Sequence, residues 1–311
     1  MQIFSKEFIQ FSKKILLFSV ILWITNFLLG YVVETLYFSR PFRLTHGIER
    51  VEDDIIILGS SRACHHYIPS MIEDSLGMSC YNLGFDGQNI YFHYALFNSM
   101  LARYTPKLVV LDLITSDFAH TPGRDMETIA DLYPYYQRNE GVDEIVRLPD
   151  FNWLTLQLSL LKYNSRVYGI IERLLIGNEK QTDHLKGYAP LAGSILPENL
   201  RKSVSRNKAE GKVSEYDKTK IEYLSKLISL CESRGIILLA FVSPYWQSDS
   251  HDFAIDTLFI NHSVPLFDYS GDKHFVLNNH LFKDNTHLNN EGAKLYTDLV
   301  IKDMKKYIGD N

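Results

Sequence analysis

The sequence predicts an α/β fold, a three-layer α/β/α domain around a five-stranded parallel sheet, preceded by one membrane-spanning helix. Two observations carry the domain. Short, apolar, β-branched runs of strand length alternate with longer stretches of helical periodicity. The runs also end in Gly, Ser, Asn or Asp, the residues that turn a strand into a helix. A third observation carries the anchor: 15–33 (ILLFSVILWITNFLLGYVV) holds nineteen residues without a charge.

As a helix rising 1.5 Å per residue, that stretch spans about 28 Å, the hydrocarbon thickness of a bilayer. Lys13 and Lys14 precede it, and Trp23 is followed by Tyr31 and Tyr37 near the far end. The run is longer than the core of a cleaved secretory signal, and no A-x-A-like site follows, so an uncleaved anchor is expected over 1–40. The two lysines place the N-terminus in the cytoplasm and the domain outside it, against the opposing bias of Arg40, Arg43 and Arg50. The expected location is a single pass through the cytoplasmic membrane, with the domain in the periplasm or exterior.

The domain then occupies 41–311. A buried strand is expected at 54–60 (DIIILGS), a helix at 67–76 closed by Gly77, and a strand at 78–83. A helix follows at 90–104, stopped by Pro106, then a third strand at 108–114 (LVVLDLI). Over 119–206 the alternation lapses into aromatic-rich helical pieces (129–136, 153–161, 167–175) and a polar loop at 178–187, read as a cap inserted after the third strand. The rhythm resumes with a helix at 216–234 ended by Gly235, a strand at 236–242, a weaker one at 265–269 and a last helix at 289–307. Such alternation implies a parallel, flavodoxin-like sheet covered on both faces.

Composition narrows the function classes. The chain has 311 residues, 46% hydrophobic and 13% aromatic, with 17 Gly and 10 Pro, which excludes disordered, collagenous and coiled-coil chains. Net charge is −5; the first forty residues carry +2, so the domain is acidic and lacks the basic face a nucleic-acid partner needs. Three cysteines, Cys64, Cys80 and Cys231, make neither a paired framework nor a metal-ligand spacing.

Parallel sheets place chemistry at the carboxyl ends of their strands, and four motifs fall there. Gly59-Ser60-Ser61-Arg62 follows the first strand; a serine there lies beside a helix N-terminus that favours a developing oxyanion, although a plain helix cap has the same composition. Asn82-Leu83-Gly84-Phe85-Asp86-Gly87-Gln88-Asn89 follows the second, with two glycines that let backbone approach a bound group or simply make a tight turn. Thr115-Ser116-Asp117 follows the third. Asp284-Asn285-Thr286-His287-Leu288 precedes the last helix; an aspartate three residues before a histidine can orient its ring toward a serine, or merely cap the turn.

Together and in this order, the motifs resemble the blocks of the SGNH/GDSL hydrolase superfamily: GDS, N-x-G-x-x-G, a G-x-N-D-like stretch and D-x-x-H-L. The resemblance covers 54–118 and 214–308. It implies Ser61 as nucleophile, His287 as base, Asp284 as its orienting acid, and an oxyanion hole of the Ser61 and Gly87 N–H groups with Ser116. Two departures stand out. Ser60 replaces the GDS aspartate, and Ser116 falls where the family has its oxyanion asparagine, a loss that costs on the order of 10²–10³ in turnover. Asn89 is the expected substitute donor if its loop folds back.

The implied chemistry is acyl transfer through a serine ester, with no cofactor and no metal. The anchor makes the chain similar to the accessory proteins of teichoic-acid D-alanylation and alginate O-acetylation. That likeness implies an O-acylated envelope glycan or acyl donor as substrate and a membrane-bound O-acyltransferase as partner. A non-catalytic scaffold of the same fold is the alternative. Arg62, His65 and His66 follow the serine, and Tyr67 begins the helix behind them; these residues suit either binding of an anionic group or a sugar, or solvated helix-start positions, and Arg62 and Asn89 are the candidate substrate contacts. His274, His280 and His287 have no established ligand spacing. The insertion's aromatics (Tyr133, Tyr135, Tyr136, Phe151, Trp153, Tyr163, Tyr168) suit either sugar stacking or core packing.

Overall fold

The structure, a computed structural model, describes residues 5–39, 43–149, 151, 156–163, 183–195, 216–246 and 256–308. The helical piece expected at 167–175, the first half of the polar loop at 178–187 and the start of the piece at 153–161 lie outside them.

Helix α1 (Lys6–Ser39) is continuous over 34 residues and long and apolar enough to cross a membrane. Its last turns pack against the domain: Tyr37 and Phe38 meet the ring of Tyr135 edge-on, and Glu34 pairs with Arg138 at 2.8 Å. A short helix, α2 (Arg43–Glu49), then buries Leu44 and Ile48; neither sequence periodicity nor a cap announces it.

Five parallel strands follow, β1 (Ile55–Gly59), β2 (Cys80–Gly84), β3 (Leu108–Asp112), β4 (Ile237–Val242) and β5 (Leu266–Asp268), in the order β2-β1-β3-β4-β5. Strands β1 to β3 are buried along their whole length, which is why they read as unbroken apolar runs rather than alternating ones. Side chains still alternate between the two faces. Ile56 and Leu58 enter one core with α2 and helix α5 (Ile90–Leu101), and Ile55 and Ile57 enter the other with the last helix. The sheet is thus covered on both sides. From β1 the chain turns to β2 on one side and later to β3 on the other, so the end of β1 is the switch point where open parallel sheets bind ligands.

The helix expected at 67–76 is α4 (Pro69–Leu76), and a further short helix that was not expected, α3 (Ser61–His66), precedes it. Pro69 explains the break between them: its ring excludes the helical region for the preceding residue, and Ile68 is extended. Beyond β3, a 3₁₀ turn (Thr115–Phe118) leads to α6 (Pro122–Ile129). The piece expected at 129–136 is 3₁₀ over Ala130–Tyr135, with Pro134 inside it; α7 (Glu140–Val146) and α8 (Ser159–Lys162) follow. The chain leaves the sheet at Ala119 and returns at Tyr216, which form a β-bridge, while Asp217 N–H donates to Phe118 O. Asp217 then caps α9 (Lys218–Arg234), and Gly235 ends it at φ +65°. The remaining helices are α10 (Asp256–Asn261), α11 (Lys273–Val276) and α12 (Asn290–Met304), the last capped by Asn289.

Candidate active site

The site begins with a glycine that has to be one. Gly59 ends β1 at φ +143°, and a Cβ there would lie 2.6 Å from Asp112 O and 2.9 Å from Ala63 Cβ. The turn it permits delivers Ser61 to the first position of α3. From the far end of the chain, the turn before α12 brings His287 to it. Ser61 Oγ lies 2.7 Å from His287 Nε2, and His287 Nδ1 lies 2.9 and 3.0 Å from the two oxygens of Asp284.

These contacts settle the proton positions. A carboxylate only accepts, so Nδ1 carries the hydrogen, and the Nε2 lone pair receives the Ser61 hydroxyl. Asp284 Oδ1 also accepts the N–H groups of Thr286 at 2.9 Å and His287 at 3.0 Å, so the acid builds the turn that holds its own histidine. Burial opposes ionisation of Asp284, but the bonds from His287 and these N–H groups outweigh it and hold its pKa at about 2. The arrangement can take a proton from the serine and stabilise the resulting imidazolium.

Gly87 sits in the loop after β2 at φ +71°, and its N–H makes no hydrogen bond among the described residues. The backbone of Ser116 lies in the 3₁₀ turn after β3, while its side chain is outside the described structure. Its neighbour Asp117 has its pKa pushed up to about 7 by burial, which the positive charges of Arg62, Arg124 and Lys220 only partly offset.

Two expected substrate contacts are elsewhere. Arg62 is buried beneath the serine, not solvated at a helix start. Its guanidinium donates to Ser243 O at 2.9 Å and to Leu113 O, and its Nε lies 3.6 Å from Asp112. Successive helical positions diverge by about 100°, so Arg62 cannot share the face of Ser61. Asn89 caps α5 by accepting Tyr91 N–H at 3.1 Å, and its amide donates to Asp125 at 2.7 Å. Asp125 in turn pairs with buried Lys220 at 2.7 Å. A side chain committed at both ends cannot fold back toward the serine.

The groups that brace the site do so from within the fold rather than by binding. His66 is fully buried, with Nε2 accepting Leu288 N–H at 2.9 Å and Nδ1 facing Ser243 Oγ at 3.1 Å. Burial, with nearby cationic groups, lowers its pKa well below 6.5 and keeps the ring neutral. Tyr67 donates to Asp112 at 2.5 Å and meets Tyr296 of α12 at 3.0 Å. Asp112 was the legible clue: a charged residue inside the apolar run LVVLDLI demands buried partners.

Cys64, His65 and Asp86 place three potential metal ligands within 4.8 Å of one another, a grouping the sequence spacing did not reveal. Arg43 donates to Cys64 Sγ at 3.4 Å, setting a guanidinium where a metal would need negative charge. Burial pushes the Cys64 thiol up, which further disfavours the thiolate a metal requires.

No protein-family model and no curated protein matches the sequence. Solved structures do align with it. One is a lipase/acylhydrolase from Enterococcus faecalis, at 11% identity and TM-score 0.40, over 83% of this chain and 98% of that one. An acetyl xylan esterase aligns at 13% identity and TM-score 0.38, over 82% of this chain and all of its own. A GDSL-like lipase from Bacteroides thetaiotaomicron aligns at 11% identity and TM-score 0.38, over 82% and 88%.

Proposed function

We propose that the chain is an SGNH/GDSL-type serine esterase or O-acyltransferase, anchored in the cytoplasmic membrane by α1 and acting outside it on O-acyl groups of an envelope glycan. The observation that carries this reading is the unbroken chain of contacts from Ser61 Oγ through His287 to Asp284.

In the proposed reaction, His287 Nε2 takes the Ser61 proton as Oγ attacks the ester carbonyl, and Asp284 stabilises the imidazolium. The N–H groups of Ser61 and Gly87, with the Ser116 hydroxyl, stabilise the oxyanion. His287 then protonates the departing alkoxide, leaving an acyl-serine. Attack by water completes hydrolysis; attack by a sugar hydroxyl completes transfer. No step uses a metal or cofactor. A membrane-bound O-acyltransferase is the partner we propose as the source of acyl groups.

The test is fluorophosphonate labelling and p-nitrophenyl acetate cleavage by the full chain in detergent, compared with Ser61→Ala. Labelling and cleavage that vanish in the variant support the nucleophile. Labelling with little hydrolysis favours transfer. A folded wild type that neither labels nor cleaves overturns the reading.

A further inference from the structure

A second His–Asp pair stands at the mouth of the site, and the mechanism does not use it. His65 is one helical turn after Ser61 on α3, so the two share a face. Its ring meets that of His287 edge-on at a centroid distance of 5.4 Å. Nδ1 lies 2.6 Å from Ala189 O, and Nε2 lies 3.3 Å from Asp86 Oδ1. Burial works against protonation of the ring, but the bonds to Asp86 and Ala189, both of which only accept, raise its pKa above the ordinary value. Asp86 immediately precedes Gly87, the proposed oxyanion donor, and its side chain is 66% exposed. Behind it, Arg43 donates to Cys64 Sγ and to Asn82 O and lies over the Phe85 ring at 4.8 Å.

We propose that Asp86, fixed by His65, binds hydroxyl groups of a neutral sugar on the alcohol side of the scissile ester. This deepens the function proposed above and rests on it. The presented atoms are carboxylate oxygens, which call for a donor. His65 and Arg43 behind the carboxylate offset part of its pull on an ammonium group, whereas a neutral hydroxyl donates to it without needing that net attraction. Such hydroxyls belong to the sugar, because a simple acyl group has no donor.

The reporting quantity is a selectivity ratio: kcat/KM for an O-acetylated methyl glucoside divided by kcat/KM for p-nitrophenyl acetate, which carries no sugar hydroxyl. The full chain in detergent serves throughout. Losing a hydrogen bond to a charged group predicts about a tenfold fall in the ratio for Asp86→Ala, carried mainly by KM. Asp86→Asn, which keeps one acceptor oxygen, falls less, and His65→Gln falls as its carboxylate loses its fixed position. An unchanged ratio overturns the proposal, as does a wild-type preference for an alanyl over an acetyl ester that Asp86→Ala abolishes. If the wild type cleaves neither ester, the function reading fails by itself. Saturation-transfer NMR with unacetylated methyl glucoside then decides the site: a signal weakened in Asp86→Ala supports it, and equal signals refute it.

Discussion

His66 accepts the N–H of the residue that follows the proposed base, and replacing it measures how firmly the site is built from below. His66→Leu keeps an apolar side chain of similar size and removes both ring nitrogens. Leu288 N–H, 2.9 Å from Nε2, is then left in a fully buried place, whereas Ser243 Oγ, which accepts from Nδ1, keeps its bond to Asp112. An unsatisfied buried donor costs about 1–3 kcal/mol, set against a typical total stability of about 5–15 kcal/mol. His66→Gln returns a carbonyl able to reach Leu288 N–H and recovers most of it. Urea denaturation of the full chain in detergent, followed by circular dichroism, reads the loss. The fluorophosphonate labelling rate reads the site, because a shift of about 1 Å in the histidine can cost on the order of 10²-fold. Equal urea midpoints for wild type and His66→Leu, or a Gln variant no better than Leu, would refute the argument.

Further outcomes follow from the same geometry. Asp284→Asn lowers kcat at pH 7 on the order of 10⁴-fold by releasing the His287 tautomer; a pNP-acetate assay showing less than tenfold loss counts against the triad. Because Asp284 ionises at about 2 when folded, against 3.8 ordinarily, its stabilisation is complete above 3.8 and lost as pH falls toward about 2. Burial pushes His93 down to about 3 from 6.5, so wild type should lose stability relative to His93→Leu between those values, by up to about 1.4 kcal/mol per pH unit; parallel curves would contradict this. Arg62→Met strands the buried Asp112 charge and should cost about 3–5 kcal/mol, much of it recovered in Arg62→Met/Asp112→Leu; a double variant no more stable than the single one argues against the pair. Gly84→Ala drives a Cβ to 2.4 Å from Cys64 N, forcing β2 from α3, and should cost about 1–3 kcal/mol in a thermal melt.

Much of this was legible because the sheet strands are buried on both faces. Runs such as IIILG and LVVLD have no other comfortable environment, and the turn residues after them fall where an open sheet does its chemistry. The contact between Ser61 and His287, 226 positions apart, was legible only by resemblance, since spacing says nothing about what meets across a fold. Side-chain direction on α3 was not legible. The segment SRACHH buries five of its six residues, so neighbouring positions face quite different surroundings. Arg62 points into the fold, His65 points to the mouth, and His66 braces the turn. Asn89 failed as a substrate contact for a related reason: a residue that opens a helix is already employed.

The junction between α1 and the domain constrains reach. The uncharged stretch ends at Val33, and Glu34, Tyr37 and Phe38 are already engaged with Arg138, Tyr135 and Tyr163. A flexible tether would let the domain sweep a hemisphere; a packed elbow fixes its height. On the proposed reading, with α1 seated in a bilayer, Ser61 would work in one thin shell above the lipid, and the ester it acts on would have to enter that shell rather than be sought out.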